Sequence, residues 1–336
     1  MKPKNWLLVF LLTGALTSCT KEKLINDPGN LVPETVMEDP SIPAITVNGA
    51  TLHSEAFGHP DSTMLVVVHG GPGSDYRSLL NIKDLALAGY RVIFYDQRGS
   101  GLSERFDADY YESLEEEAVS LFFEDLRGVI AHYRTRSDQR VMLIGDSWGG
   151  MLCAGYTGKY PGEVDGLVVS EPGGLRWDDV VDYVKRSRSF KIWGEAFNDA
   201  TYLDQFITGD KNEHQILDYK AALNSSKNEI TGEGVLAPNL FWRSGAVCNA
   251  GLFKAGFDYE PDFSIGLEQF EVPVLFIYTE KNTAYQLSWA QRISAVFNQV
   301  QLFEITGIGH SEMYTVDHVW TQVTKPALLT YFQSLQ

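Results

Sequence analysis

Residues 140–150 read Arg140-Val141-Met142-Leu143-Ile144-Gly145-Asp146-Ser147-Trp148-Gly149-Gly150, and this stretch decides the fold. Its first half is an apolar run, as expected of a strand covered on both faces. Its second half fits G-x-S-x-G over 145–149, and helical sequence begins at Trp148. Between a strand and a helix, the two glycines permit a sharp turn that lifts the Ser147 hydroxyl above the sheet edge. The backbone N–H of Trp148 is then aimed at a developing oxyanion. An isolated match to such a pattern is weak; a strand before it and a helix after it give it meaning.

The same alternation extends in both directions. Upstream, Ile45–Val47 and Leu52–Phe57 suggest a hairpin around Asn48-Gly49. Met64–His69 and Arg91–Tyr95 read as buried strands, with helical periodicity over 77–88 and a long amphipathic helix over 112–136. Downstream come the strands Gly166–Ser170, Pro273–Tyr278 and Val300–Ile305, a helix over 284–297 and a closing helix after 316. Strands alternating with helices predict an α/β chain built on a mostly parallel sheet. Between about 173 and 265 the alternation lapses into polar, aromatic, mainly helical sequence. Such an insertion is most simply a cap over the carboxyl edge of the sheet, where open α/β sheets bind ligands. The core is then 42–172 with 266–336, and the cap 173–265.

Composition narrows the function. The 336 residues carry Lys+Arg 27 against Asp+Glu 44, a formal net charge of −17. A chain this acidic lacks the cations that binding a nucleic-acid backbone requires. Three cysteines are too few for a disulfide scaffold. At the N-terminus, Lys2 and Lys4 precede an apolar run from Trp6 to Leu16, too short to span a bilayer and suited to a signal-peptide core. It ends in Leu16-Thr17-Ser18-Cys19, which resembles a bacterial lipobox. That resemblance implies a signal peptide over 1–18, lipidation at Cys19 and a domain held outside the cytoplasm on a lipid anchor in the cell envelope. Residues 19–41, with Pro28, Gly29, Pro33 and Pro40, read as an extended tether. Export permits a Cys153–Cys248 disulfide, although two buried thiols are the simpler expectation.

Two further loops join Ser147. His69-Gly70-Gly71-Pro72-Gly73 follows a strand, and a glycine-rich turn there brings backbone N–H groups to where substrate would lie; Gly71 is the candidate second oxyanion donor, with Trp148. Gly307-Ile308-Gly309-His310 follows the last strand and supplies a candidate general base, His310. His53, His59, His132, His214 and His318 lack such a setting. The four motifs HGGPG at 69–73, DQRGSG at 96–101, GDSWGG at 145–150 and GIGH at 307–310 resemble the proline iminopeptidase branch of the α/β-hydrolases. The resemblance implies an eight-stranded, mostly parallel sheet with a helical cap after the sixth strand. It also implies a cofactor-free, metal-free serine hydrolase acting on short peptides or other small molecules, in which Asp96-Gln97-Arg98 braces the loops. The family's amine-holding carboxylates lie in the cap. Glu195, Glu213 and Glu233 are available there, and none is assigned.

The sequence departs from the family at the acid. After the seventh strand Thr279-Glu280-Lys281-Asn282 carries an amide where an aspartate is usual. A neutral amide cannot offset the charge of an imidazolium. Either activity is crippled or the acid has moved. Glu171, at the end of the sixth strand, is the first candidate and Glu280 the lesser one; with the acid at 171, Asn282 is expected to be replaceable. An aminopeptidase reading therefore stands first, beside an esterase and a non-catalytic binding protein on the same scaffold.

Overall fold

In a computed structural model, residues 32–187, 213–224, 228, 230–232 and 242–335 are described. The signal peptide, Cys19, most of the tether, Glu195 and Glu233 lie outside the described residues. Eight strands form one sheet in the order β1-β2-β4-β3-β5-β6-β7-β8. β1 (Ala44–Val47) and β2 (Ala50–Phe57) make the expected hairpin, with Asn48 at φ 46° and Gly49 at φ 76°. Those two left-handed residues give the tight turn whose twist matches the strands. β2 joins β4 (Arg91–Tyr95) antiparallel. From β4 onward, β3 (Met64–Val68), β5 (Val141–Asp146), β6 (Gly166–Ser170), β7 (Val274–Thr279) and β8 (Val300–Ile305) run parallel.

The central strands β3, β5, β6 and β7 are buried at every position, which is why their sequences are apolar runs, broken only at the carboxyl ends by Asp146, Ser170 and Thr279. Two apolar layers cover the sheet. One is built around Phe122, Leu126, Leu152 and Phe276 and the other around Leu79, Ile82, Trp320 and Phe332. The helices are α1 (Ala108–Ser113), α2 (Ala118–Tyr133), α3 (Trp148–Lys159), α4 (Trp177–Ser187), α5 (Glu213–Asn224), α6 (Ala246–Tyr259), α7 (Leu287–Ser294), α8 (Glu312–Thr315), α9 (Asp317–Val319) and α10 (Lys325–Ser334). Helices α4, α5 and α6 fall between β6 and β7, the helical cap inserted after the sixth strand.

Three expectations need adjustment. The helix expected over 112–136 is broken at Glu115, whose φ of 48° is incompatible with α-helix, so α1 and α2 are separate. The 77–88 segment is a 3₁₀ run, Tyr76–Ala88, capped by Asp75 and closed by Gly89 at φ 94°. The tether expected over 19–41 is docked from residue 32 onward. Val32, Thr35 and Val36 are buried, and Glu38 binds Arg243 at 2.8 Å and Gln215 at 3.0 Å in the cap. Cys153 and Cys248 are free and buried. Burial pushes both thiols up, Cys248 to about 12, as for small core residues. Among the described residues no helix is long and apolar enough to cross a membrane.

Candidate active site

Register brings the functional loops to one edge. Val68 of β3 lies beside Gly145 of β5, Asp146 beside Ser170 of β6, and Ser170 beside Ile277 of β7. The residues that follow these strand ends therefore converge. Ser147 sits at φ 53° and ψ −119°, a strained conformation for a non-glycine residue. Its N–H donates to Ser170 O at 2.8 Å, and the hydroxyl-bearing residue opens α3. The turn is that tight because Gly149 has no side chain: a Cβ there would stand 2.0 Å from Val68 O. Trp148 is the first residue of α3, where helix N–H groups have no intrahelical partner.

The 69–73 loop lies directly against this turn. A Cβ on Gly70 would meet the Ser147 Cβ at 3.2 Å. Gly71, at φ 129°, adopts a conformation side chains disfavour, and a Cβ would strike Gly73 N at 2.5 Å. Gln97 ties the two loops together. Its N–H donates to His69 Nε2 at 2.9 Å, its amide donates to His69 O at 2.7 Å, and it accepts from Trp148 Nε1 at 3.0 Å. His69 Nδ1 meets Gly70 O at 2.8 Å, which makes Nδ1 the protonated nitrogen, and complete burial pushes its pKa down. Asp96 and Arg98 brace from behind. Asp96 binds His53 Nδ1 at 2.7 Å and Tyr76 N at 3.0 Å, and Arg98 grips Asp125 with two hydrogen bonds. His53 Nε2 meets the Tyr76 hydroxyl at 3.1 Å, so both its nitrogens are committed within the core.

His310 Nδ1 and Glu171 Oε2 are 2.5 Å apart, with His310 8% and Glu171 0% exposed. The Nδ1 proton is donated to the carboxylate, and Nε2 lies on the opposite side of the ring. Ser311, next to His310, donates to Asp146 Oδ2 at 3.0 Å, which locks the histidine loop to the residue before Ser147. His310 N donates to Thr231 O at 2.9 Å, so the cap also holds this loop. Glu171 is itself at φ 40°, a second strained residue in the site. Its Oε1 accepts from Thr279 N at 2.7 Å and Thr279 Oγ1 at 2.8 Å, and its Oε2 also accepts from Asn282 Nδ2 at 3.0 Å. Glu280 is elsewhere: it is exposed and accepts from Gly307 N at 2.7 Å. The structure thus brings the loops that carry Ser147, Trp148, Gly71 and His310 to one sheet edge, pairs His310 with Glu171 and leaves Glu280 outside. Asn282, expected to be replaceable, is fully buried and donates to Glu171. Sequence reading did not single out Thr279 as a partner of Glu171.

Residues 59–235, over half of the chain, match the family described as serine aminopeptidase, S33. The chain is 36% identical to a proline iminopeptidase of Thermoplasma volcanium over 121 residues, covering 34% of this chain and 36% of that protein. It is 32% identical to the AB hydrolase superfamily protein YfhM of Bacillus subtilis over 124 residues, covering 37% and 41%. These matches span roughly two fifths or less of the relatives' own length. A solved structure of Mycobacterium smegmatis proline iminopeptidase superposes with TM-score 0.57 at 19% identity over 88% of this chain and 99% of that one. VinJ superposes with TM-score 0.61 at 18% identity over 88% and 98%. Sheet order, strained serine turn, strand-end histidine and family match agree: the chain belongs to the serine aminopeptidase S33 family of α/β-hydrolases.

Proposed function

We propose that this chain is a serine hydrolase that cleaves an amide or ester bond through an acyl-enzyme, first of all as an aminopeptidase on short peptides. The observation that carries the reading is the 2.5 Å His310–Glu171 bond beside a strained Ser147 at the sheet's carboxyl edge. Ser147 Oγ attacks the acyl carbon while His310 Nε2 takes its proton. The imidazolium so formed is stabilised by Glu171, whose charge is not consumed. The N–H groups of Gly71 and Trp148 receive the oxyanion. His310 then returns the proton to the leaving group, and water repeats the sequence to release the acid. The peptidase preference draws on the proline iminopeptidases among the relatives; small esters are the alternative substrate class. We place the domain in the cell envelope, lipidated at Cys19, on the lipobox-like Leu16-Thr17-Ser18-Cys19.

A fluorophosphonate probe tests the chemistry. The wild type should be modified at Ser147, and Ser147→Ala should not. A folded wild type that resists the probe would leave a binding protein on the same scaffold. Amino-acyl arylamides, Pro and Ala included, run beside short-chain aryl esters, then separate the peptidase from the esterase.

A further inference from the structure

Glu171 is held by more than its histidine. Asn282 Nδ2 donates to Oε2, the oxygen that His310 meets, while both Thr279 bonds go to Oε1. Four donors on two oxygens fill the lone-pair directions of a carboxylate. The same Asn282 nitrogen donates to the Tyr183 hydroxyl at 3.2 Å, and Tyr183 belongs to α4, the first described helix of the cap. Asn282 Oδ1 is buried without a hydrogen-bond partner, so the amide is oriented by its donors alone. The reverse orientation would set Oδ1 against Glu171 Oε2, oxygen against oxygen. This position therefore requires a neutral donor, and the residue that departs from the family's pattern is the one whose chemistry fits.

We propose that Asn282 is a positioning residue: its amide fixes Glu171 Oε2 against His310 Nδ1 and ties that carboxylate to the cap through Tyr183. The proposal rests on Ser147, His310 and Glu171 acting as the catalytic unit. Restoring the family's aspartate would then do harm. Two carboxylates about 3 Å apart resist ionising together, so at lower pH they share a proton and the second ionises only at higher pH. That proton competes with His310 for Glu171, and at higher pH the second negative charge holds the imidazole protonated. Among the neighbouring titratable groups, the phenols of Tyr285 and Tyr314 feel the charge of Glu171, Asp146 acts on Tyr314, and the Tyr183 phenol meets Asn282 itself.

The test uses the full chain and two readouts over about pH 5–9: the rate of fluorophosphonate labelling at Ser147, and kcat and KM for a short-chain p-nitrophenyl ester. Asn282→Leu removes the donors at similar size and should lower kcat at least about tenfold with KM nearly unchanged. Asn282→Asp should move the acidic limb of both profiles upward by about one pH unit. Tyr183→Phe should fall between wild type and Asn282→Leu. A merely structural amide would change melting temperature and active fraction but leave the limb in place. If Asn282→Leu does not fold, the near-isosteric Asn282→Asp and Tyr183→Phe decide. A wild type that labels at Ser147, with folded Asn282 variants unaltered in rate and limb, overturns this inference alone. A wild type that does not label overturns the catalytic reading beneath it.

Discussion

Glu171→Gln is the perturbation with the most to say about the acid, because it keeps shape and removes charge. In one orientation the new amide keeps its oxygen on His310 Nδ1 and Asn282 Nδ2 and turns NH2 toward Thr279, opposing one backbone N–H while the Thr279 hydroxyl rotates to accept. In the other it faces two donors, so the first is favoured and His310 keeps its tautomer. What is lost is the attraction between the carboxylate and the imidazolium formed in the transition state. With charge centres about 4 Å apart and an effective dielectric of about 20, that is about 4 kcal/mol. At ~1.36 kcal/mol per decade this is close to a thousandfold in kcat. The comparable change in a serine protease costs about 10⁴, so turnover should fall between about 10³ and 10⁴. Stability should change little: one opposed N–H costs about 1–3 kcal/mol, against the relief of no longer burying a charge at a site 0% exposed. The assay is steady-state hydrolysis of any substrate the wild type cleaves, with thermal melting as control. Turnover within a few-fold of wild type, with Glu280→Gln inactive, would refute the assignment of the acid to Glu171.

Three other outcomes are expected. Gly149→Ala should destabilise the fold by more than the ~1–3 kcal/mol of ordinary overpacking, read as a urea midpoint, because the new Cβ meets a backbone carbonyl at 2.0 Å that cannot rotate away. Burial alone would raise Glu38, but the Thr35 N–H, Gln215 and the Arg243 guanidinium outweigh it and hold its carboxyl at about 2. A lowered folded-state pKa gives stability that is present above the ordinary value of 4.5 and lost as pH falls toward about 2. Wild type should therefore exceed Glu38→Gln above that window, by about 1 kcal/mol or less because the Glu38 side chain is 34% exposed, and match it below. Cys19→Ala should move the protein from the detergent phase to the soluble fraction without unfolding the hydrolase domain; unchanged partitioning would mean that something other than lipidation anchors it.

The sheet was readable because strands buried on both faces carry near-continuous apolar runs, as in Met64–Val68, Val141–Ile144 and Val274–Tyr278, with polar residues only at the carboxyl ends that face the site. Helix limits were less so. Nothing in Glu115-Glu116-Glu117 marks the φ of 48° that separates α1 from α2, and the periodicity of 77–88 does not by itself distinguish a 3₁₀ run from an α-helix. The docking of residues 32–41 was hidden by composition. Prolines and mixed charges suit a tether, yet Glu38 finds Arg243 across 205 residues of chain.

The acid shows why a site can be half legible. Motifs placed Ser147 and His310 at strand ends, since local turn chemistry is written in neighbouring residues. Which carboxylate meets the histidine is not local. The ends of β6 and β7 are adjacent in the sheet, so a carboxylate from either can approach His310, and Glu280 and Glu171 differ only in direction. Direction is settled by contacts from far along the chain: Tyr183 lies 99 residues from Asn282, Thr279 lies 108 residues from Glu171, and Asn282 lies 111 from it. Glu280 is drawn outward to the Gly307 N–H, while Glu171, at φ 40°, turns inward to four donors. Moving the charge to β6 also changes what β7 must supply. A second buried acid at 282 would be repelled, whereas an amide there donates to the first. The asparagine and the glutamate are thus one substitution in physical terms, each intelligible only beside the other.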